Sequence, residues 1–208
     1  NEYEFNSLKS LLADDTCDKH NYTSATISFK EVTPDEFEKR ISGKVALRSG
    51  ERIILSDGEY CCTLPPESPI AKRILSNPSI EKIGFNLKST MLTLIEYDIT
   101  LEGDLYDIEL MHYLLNPERT HKLEILVQGY LNVSLDSPLS HPAQQEQPVL
   151  DLFSASETEG TGDEELQIEA ERRLMREAVA LWQLYEKISK EMDEESLSDL
   201  YRRIDMPL

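Results

Sequence analysis

Positive charge is in short supply in this chain of 208 residues. Lys and Arg number 21 against 40 Asp and Glu, a formal net charge of −19. A free-standing nucleic-acid binder neutralises phosphates with clustered Lys and Arg, so this balance argues against that class. Long apolar runs are missing as well. None comes near the ~20 residues that a membrane-crossing helix needs, which predicts a soluble protein without a membrane partner. Cysteine is rare: Cys17, Cys61 and Cys62 are odd in number and build no disulfide framework. Adjacent Cys61 and Cys62 sit in an apolar stretch whose alternate side chains would point to opposite faces. Reduced thiols in the cytoplasm are the expectation. No basic and apolar leader opens the chain, which starts Asn1-Glu2-Tyr3-Glu4 without an initiator Met and stops at Asp205-Met206-Pro207-Leu208. Both ends suggest a segment of a longer polypeptide. There is no nucleophile elbow, no phosphate-binding glycine loop and no zinc pattern. The four histidines, His20, His112, His121 and His141, show no ligand spacing.

What is present is ordinary globular patterning. Residues 4–12 (EFNSLKSLL) have a short helical pattern and residues 13–24 read as linker. Residues 25–29 (ATISF) form a β-branched run. Thr33, Pro34 and Glu36 make a helix start with a capping box. Three short runs follow, KVAL at 44–47, RIIL at 52–55 and YCCTL at 60–64, parted by Ser49-Gly50 and by the hairpin signal Asp57-Gly58. An antiparallel meander is predicted there. Helices are then predicted at 68–75, 87–97, 107–115 and 122–131, with strands at 80–85 and 103–106. Residues 132–162 form an irregular excursion rich in Ser, Pro and Gln. A long helix capped by Asp163 runs to about Lys190, with Leu174, Ala178, Leu181, Tyr185 and Ile188 as its buried stripe. A last helical piece covers 197–204. The whole reads as an α/β domain, a mixed sheet with helices on its faces.

At Ile83-Gly84-Phe85-Asn86-Leu87-Lys88, a strand ends in Gly and Asn-Leu-Lys opens a helix. This resembles the second exonuclease motif of the 3′–5′ exonuclease domain of bacterial DNA polymerase I, a family A polymerase. Residues 98–117 (DITLEGDLYDIELMHYLLNP) are similar to the strand and helix that follow in that family, and residues 122–131 to its next helix. Residues 200–208 (LYRRIDMPL) resemble the helix entering the polymerase domain, and residues 4–12 the segment leaving the preceding 5′-nuclease domain. The domain organisation implied is an N-terminal helix and linker over 1–24, an exonuclease-like domain over 25–208, and a junction at 197–208. The fold implied is ribonuclease-H-like, with about five strands, the first three antiparallel, and helices on both faces.

That family hydrolyses phosphodiesters with two divalent cations held by converging carboxylates. The resemblance implies an Asp-x-Glu pair on the first strand, an Asp after the second motif and a Tyr-x-x-x-Asp on the long helix. Here the first strand places Arg48 and Gly50 at the pair; a one-residue shift gives Ser49 and Glu51. Thr90 stands at the second Asp, Arg173 at the Tyr and Glu177 at the last Asp. One carboxylate of four remains, and two positions carry guanidinium groups, which repel a cation. The expectation is a degenerate site with no metal of its own, Mg being the cofactor of active relatives and of the parent polymerase domain.

Other candidates resolve locally. Asp57-Gly58-Glu59 has the Asp-x-Glu spelling but belongs to a turn. Asp107 suits helix capping, while Asp104 lies near a strand end. Asn86 and Lys88 are possible DNA contacts or simply a helix start. Trp182 fits the core better than a base-stacking role. The acidic run Glu157, Glu159, Asp163, Glu164, Glu165, Glu169 and Glu171 reads as a solvated face. The function expected is a catalytically inactive exonuclease-like domain that braces a polymerase domain of the same parent chain. DNA would be held through the parent, weakly or not at all by this fragment. The alternatives are a residual metal-dependent exonuclease using Glu177 with Asp57, Glu59 or Asp107, and an acidic protein-interaction module.

Overall fold

The computed structural model describes residues 27–135 and 162–205. The predicted helix at 4–12, its linker, Cys17, His20, His141, Glu157, Glu159 and most of the 132–162 excursion lie outside the described residues. So do the side chains of Asp163, Glu164 and Glu165.

One mixed sheet of six strands has the order β1-β4-β3-β2-β5-β6. Its centre is the predicted antiparallel meander of β2 (Lys44–Ser49), β3 (Ile53–Ser56) and β4 (Tyr60–Leu64), with Leu47 opposite Leu55 and Leu55 opposite Cys62. Asp57 closes the β3–β4 turn, its Oδ1 accepting the N–H groups of Glu59 at 3.1 Å and Tyr60 at 2.7 Å. Gly58 there takes φ +95°, which a side chain would strain, and its α-carbon lies against the Trp182 indole. β5 (Glu81–Gly84) runs parallel to β2, and β6 (Leu105–Asp107) parallel to β5.

A short sixth strand joins the five or so that were expected. β1 (Lys30–Glu31) is a two-residue parallel edge on β4, placed after the predicted 25–29 run. Ile27 and Phe29 are turned into the core ahead of it, and pairing starts only where Lys30 N–H reaches Glu59 O and Val32 N–H reaches Cys61 O, each at 2.9 Å.

Helices cover both faces. α1 (Pro34–Arg40) starts from the predicted capping box, Thr33 Oγ1 accepting Glu36 N–H while the Glu36 carboxylate accepts Thr33 N–H. With α2 (Pro69–Leu75) and α3 (Leu87–Ile95) it forms one core, in which Phe37, Ala71, Leu75, Leu87 and Leu94 pack on Val45, Leu47, Leu55 and Cys62. The other core holds α4 (Ile108–Leu115), α5 (Leu123–Leu126, continued by a π turn Val127–Leu131) and α6 (Gly162–Glu194) over Ala46, Ile54, Cys61 and Ile83. Cys61 and Cys62 thus enter different cores, as the period of two requires.

Two expectations about α6 are corrected. It begins at Gly162 and ends at Glu194, so Asp163 lies inside it rather than at its cap. Every residue from 175 to 181 is buried, rather than one stripe, and Leu174 and Tyr185 are only half-buried. A helix covered by the sheet on one side and by α4 and the π turn on another loses its solvated face there. The chain continues through α7 (Ser198–Leu200) into a π turn, Tyr201–Asp205.

Candidate functional site

Alternation along β2 puts Arg48 on the side of Ala46, the side covered by α6. Its Nε and Nη2 each lie 2.8 Å from Glu177 Oε2. The other carboxylate oxygen, Oε1, accepts Arg173 Nε at 3.2 Å, one helical turn earlier on α6. Arg173 Nη2 in turn meets Glu124 Oε1 on α5 at 3.1 Å. Arg48, Glu177, Arg173 and Glu124 therefore form one chain of charges across β2, α6 and α5. Its weight sits at the Glu177 end, where the side chain is only 6% exposed. The exposed Arg173–Glu124 link adds little.

The structure brings together three of the five candidate positions. Gly50 stands in the β2–β3 turn, where a Cβ would meet only Leu174 Cδ1 at 3.8 Å. Thr90 is buried on α3 beside Leu87 and Leu94, whose core lies on the opposite face of the sheet. It is not among the residues around Arg48 and Glu177. Those two line a cleft of about 330 Å³ together with Phe85, Glu109, His121, Lys122, Leu123 and Glu124. Burial pushes the Glu109 carboxyl up, Asp107 adds to this, and His121 opposes it.

Two divalent cations would need several free carboxylates aimed at one point. Glu177 has both oxygens on guanidinium groups and Glu124 holds Arg173. Among the described residues no group of three or more His, Cys, Asp or Glu side chains is placed to hold a metal ion. The described residues do not fit the cation pair.

The remaining candidates have local partners. Asn86, in the left-handed region at φ 53°, caps α3 by accepting Ser89 N–H at 3.2 Å, and Lys88 is exposed in the helix's first turn. Asp107 is 2% exposed and caps α4, accepting Glu109 N–H at 3.1 Å. Its carboxylate also accepts the N–H groups of Asn86 at 3.1 Å and Leu87 at 2.7 Å. One side chain so satisfies the first turns of two helices. Burial pushes this carboxyl up while the backbone N–H groups of Leu87, Asn86, Glu109 and Leu110 pull it down, and burial prevails. The Asp107 N–H donates to the Tyr201 hydroxyl at 2.6 Å. Glu59 pairs with Lys30 at 2.7 Å, on the strand pair that includes β1. Trp182 is half-buried, packed beside the core, with Nε1 donating to Glu186.

Sequence reasoning missed two participants of the cleft and one part-buried pair beside it. Glu109 and Glu124 reach the cleft from two helices, and nothing in their spacing marks them. His112 is buried, and its Nδ1 lies 2.7 Å from Nδ1 of His121. The intervening Asn116-Pro117 turn folds the chain back to make this pair. One ring must therefore donate and the other accept.

Residues 51–151, a little under half of the chain, match the family model of the 3′–5′ exonuclease domain of family A DNA polymerases. No sequence among curated proteins is similar enough to match. Solved structures add the fold. The polymerase domain of Pol1 from M. smegmatis, in complex with DNA primer-template and dNTP, superposes with a TM-score of 0.57 at 17% identity over 78% of this chain. This chain spans 26% of the length of that one. Brucella melitensis NrnC with bound Mg²⁺ gives 0.56 at 13% identity, covering 84% of this chain and 86% of its own. Escherichia coli RNase D, an exoribonuclease involved in structured RNA processing, gives 0.52 at 19% identity, covering 83% and 46%. The meander, the parallel strands beyond it and helices on both faces are the ribonuclease-H-like arrangement, and within it residues 51–151 are similar to the 3′–5′ exonuclease domain of family A DNA polymerases.

Proposed function

We propose that this domain is catalytically inactive and serves as structural support for a polymerase domain of the same parent chain. That parent would carry out template-directed DNA synthesis in replication and repair. The observation that carries the reading is the occupancy of Glu177: Arg48 and Arg173 take both oxygens that a nuclease would offer to a cation. A guanidinium supplies positive charge at that point without the Lewis acidity or the bound water of a divalent ion. The domain in this reading needs no metal, works with its polymerase domain as partner, and leaves DNA binding to that partner. The net charge of −19 supports the last point.

The test is an exonuclease assay on labelled single-stranded DNA with Mg²⁺ or Mn²⁺. No time-dependent 3′ shortening is expected. Shortening that Glu177→Ala abolishes would overturn the reading, and so would sub-micromolar affinity of this chain for primer-template at physiological salt.

A further inference from the structure

A second cavity, of about 670 Å³, opens between the end of α4, the loop that follows it, the π turn after α5, and the C-terminal half of α6. It shares no lining residue with the Arg48 cleft. Nothing in the proposed structural role uses it, and four features of its wall point to a ligand.

The first is charge. Arg119 lines the cavity and makes no ion pair among the described residues, in a chain where carboxylates outnumber cations almost two to one. The carboxylate on the same wall, Glu191, is turned instead to the Tyr130 hydroxyl, which donates to it at 2.9 Å. The second cation, Lys187, donates to the Tyr130 carbonyl and so stands at the same wall. A guanidinium left open in this way matches the planar, bidentate geometry of a phosphate or carboxylate.

The second feature is an apolar side. Ile125 is 47% exposed, although it faces a concave surface rather than a convex one. The third is a polar neighbour: Asn116 also lines the cavity, its carbonyl accepting the Arg119 N–H at 3.0 Å. The fourth is backbone. The helix winds as a π turn over Val127–Leu131, a geometry frequent at functional sites. Gly129 sits within it at the cavity wall, and a Cβ built there would meet nothing within 4 Å. The glycine thereby leaves open space where any other residue would present a side chain.

A cation open for pairing, a polar neighbour and an apolar wall around a mononucleotide-sized space describe a site for a small organic anion with a ring. We propose that this cavity binds an organic phosphate of mononucleotide size, its phosphate on Arg119 and its ring against Ile125 and the open wall at Gly129.

The test titrates the 208-residue chain with AMP, adenosine and inorganic phosphate, by calorimetry and by amide chemical shifts. AMP binds, shifting the Arg119 and Gly129 amides, while adenosine and inorganic phosphate each bind at least ~10-fold more weakly. Arg119→Ala weakens AMP ~10-fold or more by removing a charge-assisted contact. Gly129→Leu fills the space without a clash and abolishes binding. Both variants keep the thermal midpoint of the unmodified chain. Lys122→Ala, in the other cleft, leaves AMP affinity unchanged. Absence of AMP binding at millimolar concentration overturns the proposal. So do equal affinities for AMP and inorganic phosphate, binding that survives Gly129→Leu, and shifts confined to the Arg48 cleft. None of these results bears on nuclease activity, so the structural-support reading stands or falls separately.

Discussion

Asp107 and Glu177 are both buried carboxylates, and the protein satisfies them by opposite means. Asp107 is held by three backbone N–H groups, which no substitution of a neighbouring side chain removes. Glu177 is held by two arginine side chains, each a single substitution away from absence. The first arrangement belongs to the fold, since it joins the starts of two helices. The second belongs to a site, and it persists only while Arg48, Arg173 and Glu177 remain matched.

Substitutions can break this contrast, and the largest effect falls on the backbone-held carboxylate. Asp107→Ala leaves three buried donors unmet at two helix starts and is expected to cost about 4 kcal/mol, read from urea denaturation. Asp107→Asn, which keeps an acceptor oxygen, costs less than half of that. A loss under 1 kcal/mol for the Ala variant would remove the distinction drawn here.

Glu177→Gln comes next, at about 2 kcal/mol, because Arg48 then lies partly buried without its counter-charge. The double variant Arg48→Met, Glu177→Leu is the sharper probe. Replacing both partners by apolar side chains of similar volume should restore stability to within ~1 kcal/mol of the unmodified chain. A double variant as unstable as the sum of its parts would show that the pair does more than neutralise itself.

The pH dependence is smaller. Burial, then His121 and Arg119, hold the His112 imidazole below its ordinary 6.5. The unfolded chain therefore takes up a proton at higher pH than the folded chain does. The His112 contribution is full above the unfolded value and is lost as pH falls below it. Urea midpoints measured from pH 7.5 down to 5 should decline, and His112→Phe should flatten that decline. An unchanged slope in the variant would assign the acid sensitivity to other groups. The smallest effect is at the outer end of the charge chain: Glu124→Ala should change stability by less than ~0.5 kcal/mol.

Much of this architecture was legible because it is written in short-range signals. The meander follows from alternating apolar runs and Asp57-Gly58, and α1 from Thr33, Pro34 and Glu36. The capping role of Asp107 was legible too, though only for α4. Its reach to Asn86 and Leu87 depends on β5 and β6 lying side by side, a relation between segments twenty residues apart. The Arg48–Glu177 contact spans 129 residues of sequence. It could be anticipated only by resemblance, which sets the two residues at positions of two separate family motifs. Glu109, Glu124 and the His112–His121 pair carry no such motif and come together through helix packing alone. The same holds for the depth of α6: its central seven residues are buried by elements drawn from both ends of the domain, which periodicity within one helix does not record.

The two neighbouring cysteines give the molecule a built-in means of timing its own opening. Burial pushes Cys61 up to about 11 and Cys62 up to about 12, so neither offers appreciable thiolate while covered. Each belongs to a different layer beneath the sheet's two faces. With Cys17 and the neighbouring cysteine both replaced by Ala, the rate at which a thiol reagent labels Cys61 reports exposure under α6, and the rate at Cys62 reports exposure under α1 and α2. Equal rates would mean that the two layers come apart in one event. Unequal rates would rank them, without a probe being added to the chain.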